Sequence, residues 1–188
     1  MQPLMTSDQI QSAVEKLADQ IAAVFRRDQL DFANLALVGI RRRGELLAGR
    51  VGALLSEKLG HKPLLGALDI TMYRDDVLRH APITIPMGTE MDFRLDDRPV
   101  ILLDDVLFTG RSVRAALDAL VDFGRPRFIR LAVLFDRAGR EYPIAADFVG
   151  ALMDVPPHSV IQVQLKPLDA VDLVCVVPAQ KQKERAAL

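Results

Sequence analysis

One cysteine, Cys175, stands among 188 residues. No internal disulfide can form, which excludes a disulfide-framed secreted scaffold. Cys175 lies in the apolar run 171–177, where a small buried side chain is the expected role. The three histidines, His61, His80 and His158, are isolated, so no Cys/His cluster has zinc spacing. Charge of either sign is not in excess: 24 basic residues meet 25 acidic ones, for a net charge of −1. Contact with a polyanion would need a local basic patch, since there is no global field. No apolar run approaches the roughly 20 residues of a membrane helix. No charged start leads into a long apolar core. The expectation is a cytoplasmic protein without a secretory signal or membrane contact. No Gly-Lys-Ser/Thr ending marks a P-loop, and no G-x-G-x-x-G opens a helix. Internal repeats, low-complexity segments and composition breaks are also lacking, so residues 1–188 read as one domain with a polar tail from about residue 178.

Half of the residues are hydrophobic, enough for a sizeable core. Ile10, Val14, Leu17, Ile21 and Phe25 recur at threes and fours, which predicts a helix over 7–28 capped by Ser7 or Asp8. Residues 35–40 form a short buried strand, followed by the basic turn Arg41-Arg42-Arg43-Gly44. A helix over 45–59 closes at Gly60. Residues 64–73 read as a strand, and 74–99 as a long polar loop or hairpin of the functional kind. A strand core at 100–103 ends in two acids, 106–111 is a loop, and 112–123 is a helix closed by Gly124 and Pro126. Strands follow at 128–135, near 148, and at 160–165 and 171–177. Strands alternating with helices predict an α/β fold: a parallel sheet with helices on both faces. In such sheets ligands bind beyond the carboxyl ends of the strands. Residues 41–44, 104–112 and those after 135 all fall there.

The densest chemistry lies in Val100-Ile101-Leu102-Leu103-Asp104-Asp105-Val106-Leu107-Phe108-Thr109-Gly110-Arg111-Ser112. Four apolar residues bury the strand, and two carboxylates emerge at its end. Carboxylates accept hydrogen bonds from vicinal hydroxyls, as on a ribose. Thr109, Gly110, Arg111 and Ser112 then lead into a helix, whose free N–H groups and dipole suit an anion. An Asp pair at a strand end is usually just solvated, and Ser112 alone is a simple N-cap. Together, in this order, they form an acceptor pair beside a phosphate cradle, the polarity pattern of a ribose 5-phosphate.

The run 100–112 resembles the 5-phosphoribosyl-1-pyrophosphate (PRPP) signature of type I phosphoribosyltransferases. Residues 37–44, 68–76, 121–126, 131–137 and 140–150 resemble one family within that superfamily. It comprises the bifunctional pyrimidine-operon attenuation regulators that are also uracil phosphoribosyltransferases. The resemblance runs from the first helix to about Val177. Its specific parts are Asp-Ile-Thr-Met-Tyr-Arg-Asp-Asp at 69–76 and Asp-Val-Leu-Phe-Thr-Gly-Arg-Ser at 105–112.

The resemblance implies a type I fold, a parallel sheet flanked by helices with a small hood. It implies transfer of phosphoribose from PRPP to uracil, giving UMP, with Mg2+ carried by PRPP and no direct protein ligand to the metal. It also implies uridine-nucleotide-dependent binding of a pyrimidine-operon leader RNA, and a homodimer or larger homo-oligomer. Asp104 and Asp105 would hold the ribose hydroxyls, with Arg43 and Arg74 facing the departing pyrophosphate. Arg41, Arg42, Arg43 and Gly44 would form the pyrophosphate loop; three arginines in a turn are otherwise a solvated basic corner. Val106, Leu107, Phe108, Thr109, Gly110, Arg111 and Ser112 would cradle the phosphate. Asp136, Arg137, Phe148 and Val149 would lie near the base, with core packing the rival role for Phe148. Arg137 and Arg140 would meet RNA. The chain departs from the family where Gly139, Ala145 and Ala151 replace His, Arg and Lys, which removes RNA-facing polar groups. Arg125, Arg127 and Arg130 remain as a basic face or as solvated charge. Arg42 and Ser112 stand where Thr is usual, and Phe108 where Tyr is. A UMP-sensing RNA binder with slow turnover, or a transferase for another base, are the competing readings.

Overall fold

The computed structural model describes residues 2–75, 86–156 and 159–178. The elements are β1 (Gln2–Met5), α1 (Ser7–Arg27), β2 (Ala36–Ile40), α2 (Arg43–Leu59) and β3 (Leu64–Leu68). A 3-10 turn (Thr71–Tyr73) follows, then β4 (Pro99–Leu107), α3 (Arg111–Leu120) and a second 3-10 turn (Val121–Phe123). The rest are β5 (Phe128–Arg137), β6 (Phe148–Met153), β7 (Ser159–Gln164) and β8 (Leu173–Pro178). Strands β3-β2-β4-β5-β6 form a parallel sheet, and β1-β8-β7 a separate antiparallel sheet.

The central strand shows why the sequence folds this way. Residues 100–103 are fully buried and their side chains alternate between two cores. Ile101 and Leu103 join Leu37 and Leu134 beneath α1 and α2. Val100 and Leu102 join Val38 and Val133 beneath α3. A strand covered on both faces must be apolar at every position, hence the unbroken run Val100-Ile-Leu-Leu. On α1 the expected Ile10, Val14, Leu17, Ile21 and Phe25 are the buried stripe. α2 ends as expected at Gly60, whose φ of 73° is left-handed.

Several boundaries differ from expectation, each for a local reason. The cap of α1 is Thr6, whose N–H donates to Gln9 Oε1 at 2.9 Å, displacing Ser7 and Asp8 from that role. α2 begins at Arg43, inside the expected basic turn. β3 stops at Leu68, because the Asp69 carboxylate accepts the N–H groups of Thr71, Met87 and Gly88 and bends the chain away. Burial raises that carboxyl's pKa, but these bonds outweigh it and hold it below the usual range. The expected loop 74–99 includes 76–85, which lie outside the described residues. Its later part turns back so that Glu90 bridges Ala67 on β3. Val106 and Leu107 belong to β4, because they pair with Phe135 and Asp136, leaving only 108–110 as loop. β1 was not expected; it is short and takes its place only by pairing with distant β8. The connection between β7 and β8 is tied to α2 by two ion pairs, Arg43–Asp169 at 3.2 Å and Arg50–Asp172 at 2.7 Å. The polar tail beyond Pro178 lies outside the described residues. No helix among the described residues is long and apolar enough to cross a membrane.

Candidate active site

Three parallel strands, β2, β4 and β5, deliver the expected residues to one end of the sheet. Their backbones approach very closely there. A Cβ on Gly44 would lie 2.3 Å from the Leu103 carbonyl oxygen, and one on Gly39 would lie 2.2 Å from the Gly44 oxygen. Only hydrogen fits at both positions, so the start of α2 sits directly beside the residue preceding Asp104. The Arg41–Arg42 peptide bond in this turn is cis.

Asp104 is 8% exposed. Burial drives its carboxyl well above the usual range, and the neighbouring Asp105 charge pushes it further. Arg74, just past the first 3-10 turn, pulls the other way, so its positive charge is felt at Asp104. Asp105 is raised by burial and opposed chiefly by Arg43. The Asp105 N–H donates to Asp104 Oδ1, and the Val106 N–H to Asp105 Oδ1, both at 2.9 Å. The two carboxyl groups are also joined to each other by a side-chain hydrogen bond. A hydroxyl both donates and accepts, so a pair sharing its protons suits a vicinal diol in either ionisation state.

The strand then opens into a cavity of about 160 Å³ lined by Asp104, Phe108, Thr109, Gly110, Arg111 and Ser112. Gly110 holds a φ of 89° as the N-cap of α3, and a Cβ there would press on Tyr142 at 3.2 Å. The cavity is thus closed by small groups and faced by the positive end of α3. The Arg111 side chain does not enter it. It pairs with Asp75 and with Glu141 and lies 5.4 Å over the Tyr142 ring. What Arg111 offers the cradle is its backbone N–H, which meets Thr109 Oγ1 only weakly, at 3.4 Å.

The remaining expected residues divide. Arg43 sits between Asp105 and Asp169, Gly44 is buried behind it, and Arg42 is exposed. Arg41 does not face the site. Its guanidinium is taken by Glu90 at 2.6 Å, Glu45 at 3.5 Å and the Met87 carbonyl at 3.2 Å, and it fastens 87–90 to the end of β2. Arg140 is likewise internal, correcting its expected RNA-facing role. It donates to the carbonyls of Phe108, Arg137, Leu107 and Ile144 at 2.8, 2.7, 3.3 and 3.0 Å, and pairs with Asp136. Arg137 is 8% exposed. It donates to the Ser159 carbonyl at 2.7 Å and stacks 4.0 Å over Phe108. Its buried position does not suit a flat RNA contact, and burial lowers its pKa. Phe148 is 3% exposed and packs in the core beneath α1 and α2, so the core role prevails over base stacking. Val149 packs on the opposite core while its N–H and carbonyl meet Gln20.

Sequence reasoning missed Asp75, Glu141, Tyr142 and Arg114 as neighbours of the cradle. Glu141 is thirty positions from Arg111, and no periodicity links them. Gly139, where the resembled family carries His, has a φ of 118°, and a Cβ there would strike the Phe108 ring at 2.3 Å. Phe108 occupies the space a side chain would need.

Residues 6–169 match the family described as Phosphoribosyl transferase domain, the class to which the parallel sheet and the acid pair beside the start of α3 point. Among curated relatives, "Bifunctional protein PyrR" of Deinococcus radiodurans is 47% identical over 171 residues, 91% of each chain. The protein of that name from Syntrophobacter fumaroxidans is 42% identical over 181 residues, covering 96% of this chain and 95% of its own. Solved structures share the fold at low identity. A Trypanosoma cruzi hypoxanthine phosphoribosyl transferase has TM-score 0.75 at 16% identity, covering 100% of this chain and 96% of that one. HGPRT-ase from Leishmania tarentolae has TM-score 0.69 at 16% identity, covering 94% and 95%. The chain belongs to the phosphoribosyl transferase family and, within it, to the group of bifunctional PyrR proteins.

Proposed function

We propose that the protein transfers the phosphoribosyl group of PRPP to uracil, releasing pyrophosphate and forming UMP, and that uridine nucleotides control its binding to a pyrimidine-operon leader RNA. The observation that carries the first part is the buried Asp104, with the half-buried Asp105 next to it, running without a gap into the residues that line the cavity at the start of α3. The resemblance of residues 69–76 and 105–112 to the uracil-transferring regulators supports the choice of uracil, and kinship with proteins named as bifunctional supports a second role.

In this reading the ribose 2- and 3-hydroxyls lie against Asp104 and Asp105. The 5-phosphate takes the N–H groups and hydroxyls of Thr109, Gly110, Arg111 and Ser112. The base lies beyond the end of β5, near Asp136 and Arg137. The bond from C1 of the sugar to pyrophosphate breaks as the bond to the base nitrogen forms, and that nitrogen gives up its proton. Positive charge builds on the sugar carbon while negative charge collects on the leaving group. In this reading Arg43 and Arg74 are the cations that meet that charge. A fixed sugar presented in line to the base accounts for much of the rate.

No cluster of three or more His, Cys, Asp or Glu side chains that would cage a metal occurs among the described residues. The adjacent carboxylates of Asp104 and Asp105 nevertheless fit a Mg2+ that arrives with its substrate, since this ion takes oxygen ligands and is commonly held by one or two carboxylates plus phosphates. When bound, Mg2+ would neutralise the departing pyrophosphate. Asp104 and Asp105 are the residues that would face it.

For RNA, the exposed cations Arg125 and Arg127 lie just before β5, while Arg130 is paired with Asp28. Leu65, Met72 and Met87 are 50%, 76% and 55% exposed near the edge strand β3, which supports self-association into a homodimer or larger assembly.

Incubation with PRPP, Mg2+ and a panel of uracil, hypoxanthine, guanine and adenine tests the activity. UMP formation alone is expected; product with a purine and none with uracil overturns the assignment. Filter retention of pyrimidine leader RNA tests the regulation. UMP-dependent retention at low salt is expected, and its absence removes that part.

A further inference from the structure

The charge of Arg74 is felt at Asp104, yet Arg74 follows a single 3-10 turn and its segment leads directly to residues outside the described structure. Something must fix its backbone. Two arginines do so, one helical turn apart on α3. Arg114 donates from Nη2 to the Tyr73 carbonyl at 2.6 Å, immediately before Arg74. Arg111 pairs with Asp75, immediately after it. The Tyr73 hydroxyl also donates to Asp122, in the turn that continues α3. Arg114 is itself braced by Asp118 at 2.8 Å, so its planar fork is held in one orientation. α3 is the helix whose N-terminus forms the phosphate cradle. One rigid element thus holds both the anion site and the peptide that carries Arg74.

We propose that Arg114 is a positioning residue for the transfer reaction: its bond to the Tyr73 carbonyl, with the Arg111–Asp75 pair, fixes the peptide that carries Arg74. This rests on the reading of Arg74 as a cation for the departing pyrophosphate. Arg114 touches no reacting atom. Its effect reaches the chemistry only through the backbone of 73–75.

The test is a double-variant cycle in the intact protein, read by kcat and KM for PRPP, with UMP binding by calorimetry as the control for a formed cradle. Arg114→Met, which keeps the stem and removes the donors, is expected to lower kcat by about 10- to 100-fold. The PRPP KM and UMP affinity are expected to stay within about twofold, since uniform binding is untouched. Arg114→Lys, which still presents a donor, is expected to recover part of the loss. Arg74→Ala is expected to lower kcat at least as far. Adding Arg114→Met to Arg74→Ala is then expected to cost nothing more, because both act through one group. Additive losses, or a fall in UMP affinity matching the fall in kcat, overturn the proposal and make Arg114 a general support of the fold. A harmful Arg74→Ala beside a silent Arg114→Met and Arg114→Lys overturns the positioning role and leaves Arg74 in place. A silent Arg74→Ala overturns the pyrophosphate reading and the positioning role together.

Discussion

Replacing Gly44 by alanine adds one methyl group at the tightest crossing beside the acid pair. The new Cβ would sit 2.3 Å from the Leu103 oxygen, where ordinary contact begins at 3.4 Å. One of the two backbones must therefore move by about 1 Å. Leu103 lies in β4, paired on one side with Gly39 of β2 and on the other with Ala132 of β5, so the turn at 41–44 is the part that yields. Arg43 and the start of α2 would shift away from Asp105. A misplacement of about 1 Å can cost ~100-fold in rate, and overpacking of this kind costs about 1–3 kcal/mol of stability. For a chain of this length, each 1 kcal/mol lowers Tm by about 2–4 °C. Initial rates of UMP formation and a thermal melt would measure both. Gly49→Ala is the matched control, because Gly49 also lies in α2 and a Cβ there meets nothing within 4 Å. It should raise stability by about 0.5–1 kcal/mol and leave turnover alone. Wild-type kcat/KM and Tm in Gly44→Ala would refute the reasoning that this crossing sets the geometry of the site.

Asp104→Asn combined with Asp105→Asn should abolish turnover and yet stabilise the free protein near neutral pH. Both acids are raised by burial, so the folded state binds more protons than the unfolded state above the usual carboxylate range. Stability therefore falls as pH rises through that window, and the double variant should lose this slope in melts from pH 4 to 8. Arg140→Met should cost about 2–4 kcal/mol in urea unfolding, because it strands the carbonyls of Phe108 and Arg137 and the carboxylate of Asp136. Arg125→Ala with Arg127→Ala should weaken leader-RNA binding and flatten its salt dependence by roughly two phosphate contacts, with uracil turnover unchanged; an unaltered salt slope would place the RNA elsewhere.

The sheet was legible because central strands covered on both faces have to be apolar throughout, and 35–40, 100–103 and 131–135 are. The candidate segment was legible for a different reason: all of its polar groups are contiguous, from Asp104 to Ser112. What escaped was chemistry assembled across the fold. No spacing in the sequence links Arg111 to Glu141, Arg114 to Tyr73, or Arg41 to Glu90, and those contacts exist only after β3, α3 and β5 have packed. Arg140 and Arg137 misled for a related reason. Polar residues at the end of an apolar strand look like surface, but Arg137 still belongs to β5 and donates to Ser159, and the loop after it folds back so that Arg140 donates to internal carbonyls. Phe148 fell on the core side because strand pairing sets which face its side chain takes, and the sequence alone left that open.

A crystal structure of the protein bound to UMP bears most directly on the central claim. The sugar hydroxyls should lie within hydrogen-bond distance of the Asp104 and Asp105 carboxylates, with phosphate oxygens on the amides of residues 109–112. A nucleotide seated elsewhere, or one whose hydroxyls turn away from both acids, would contradict the account.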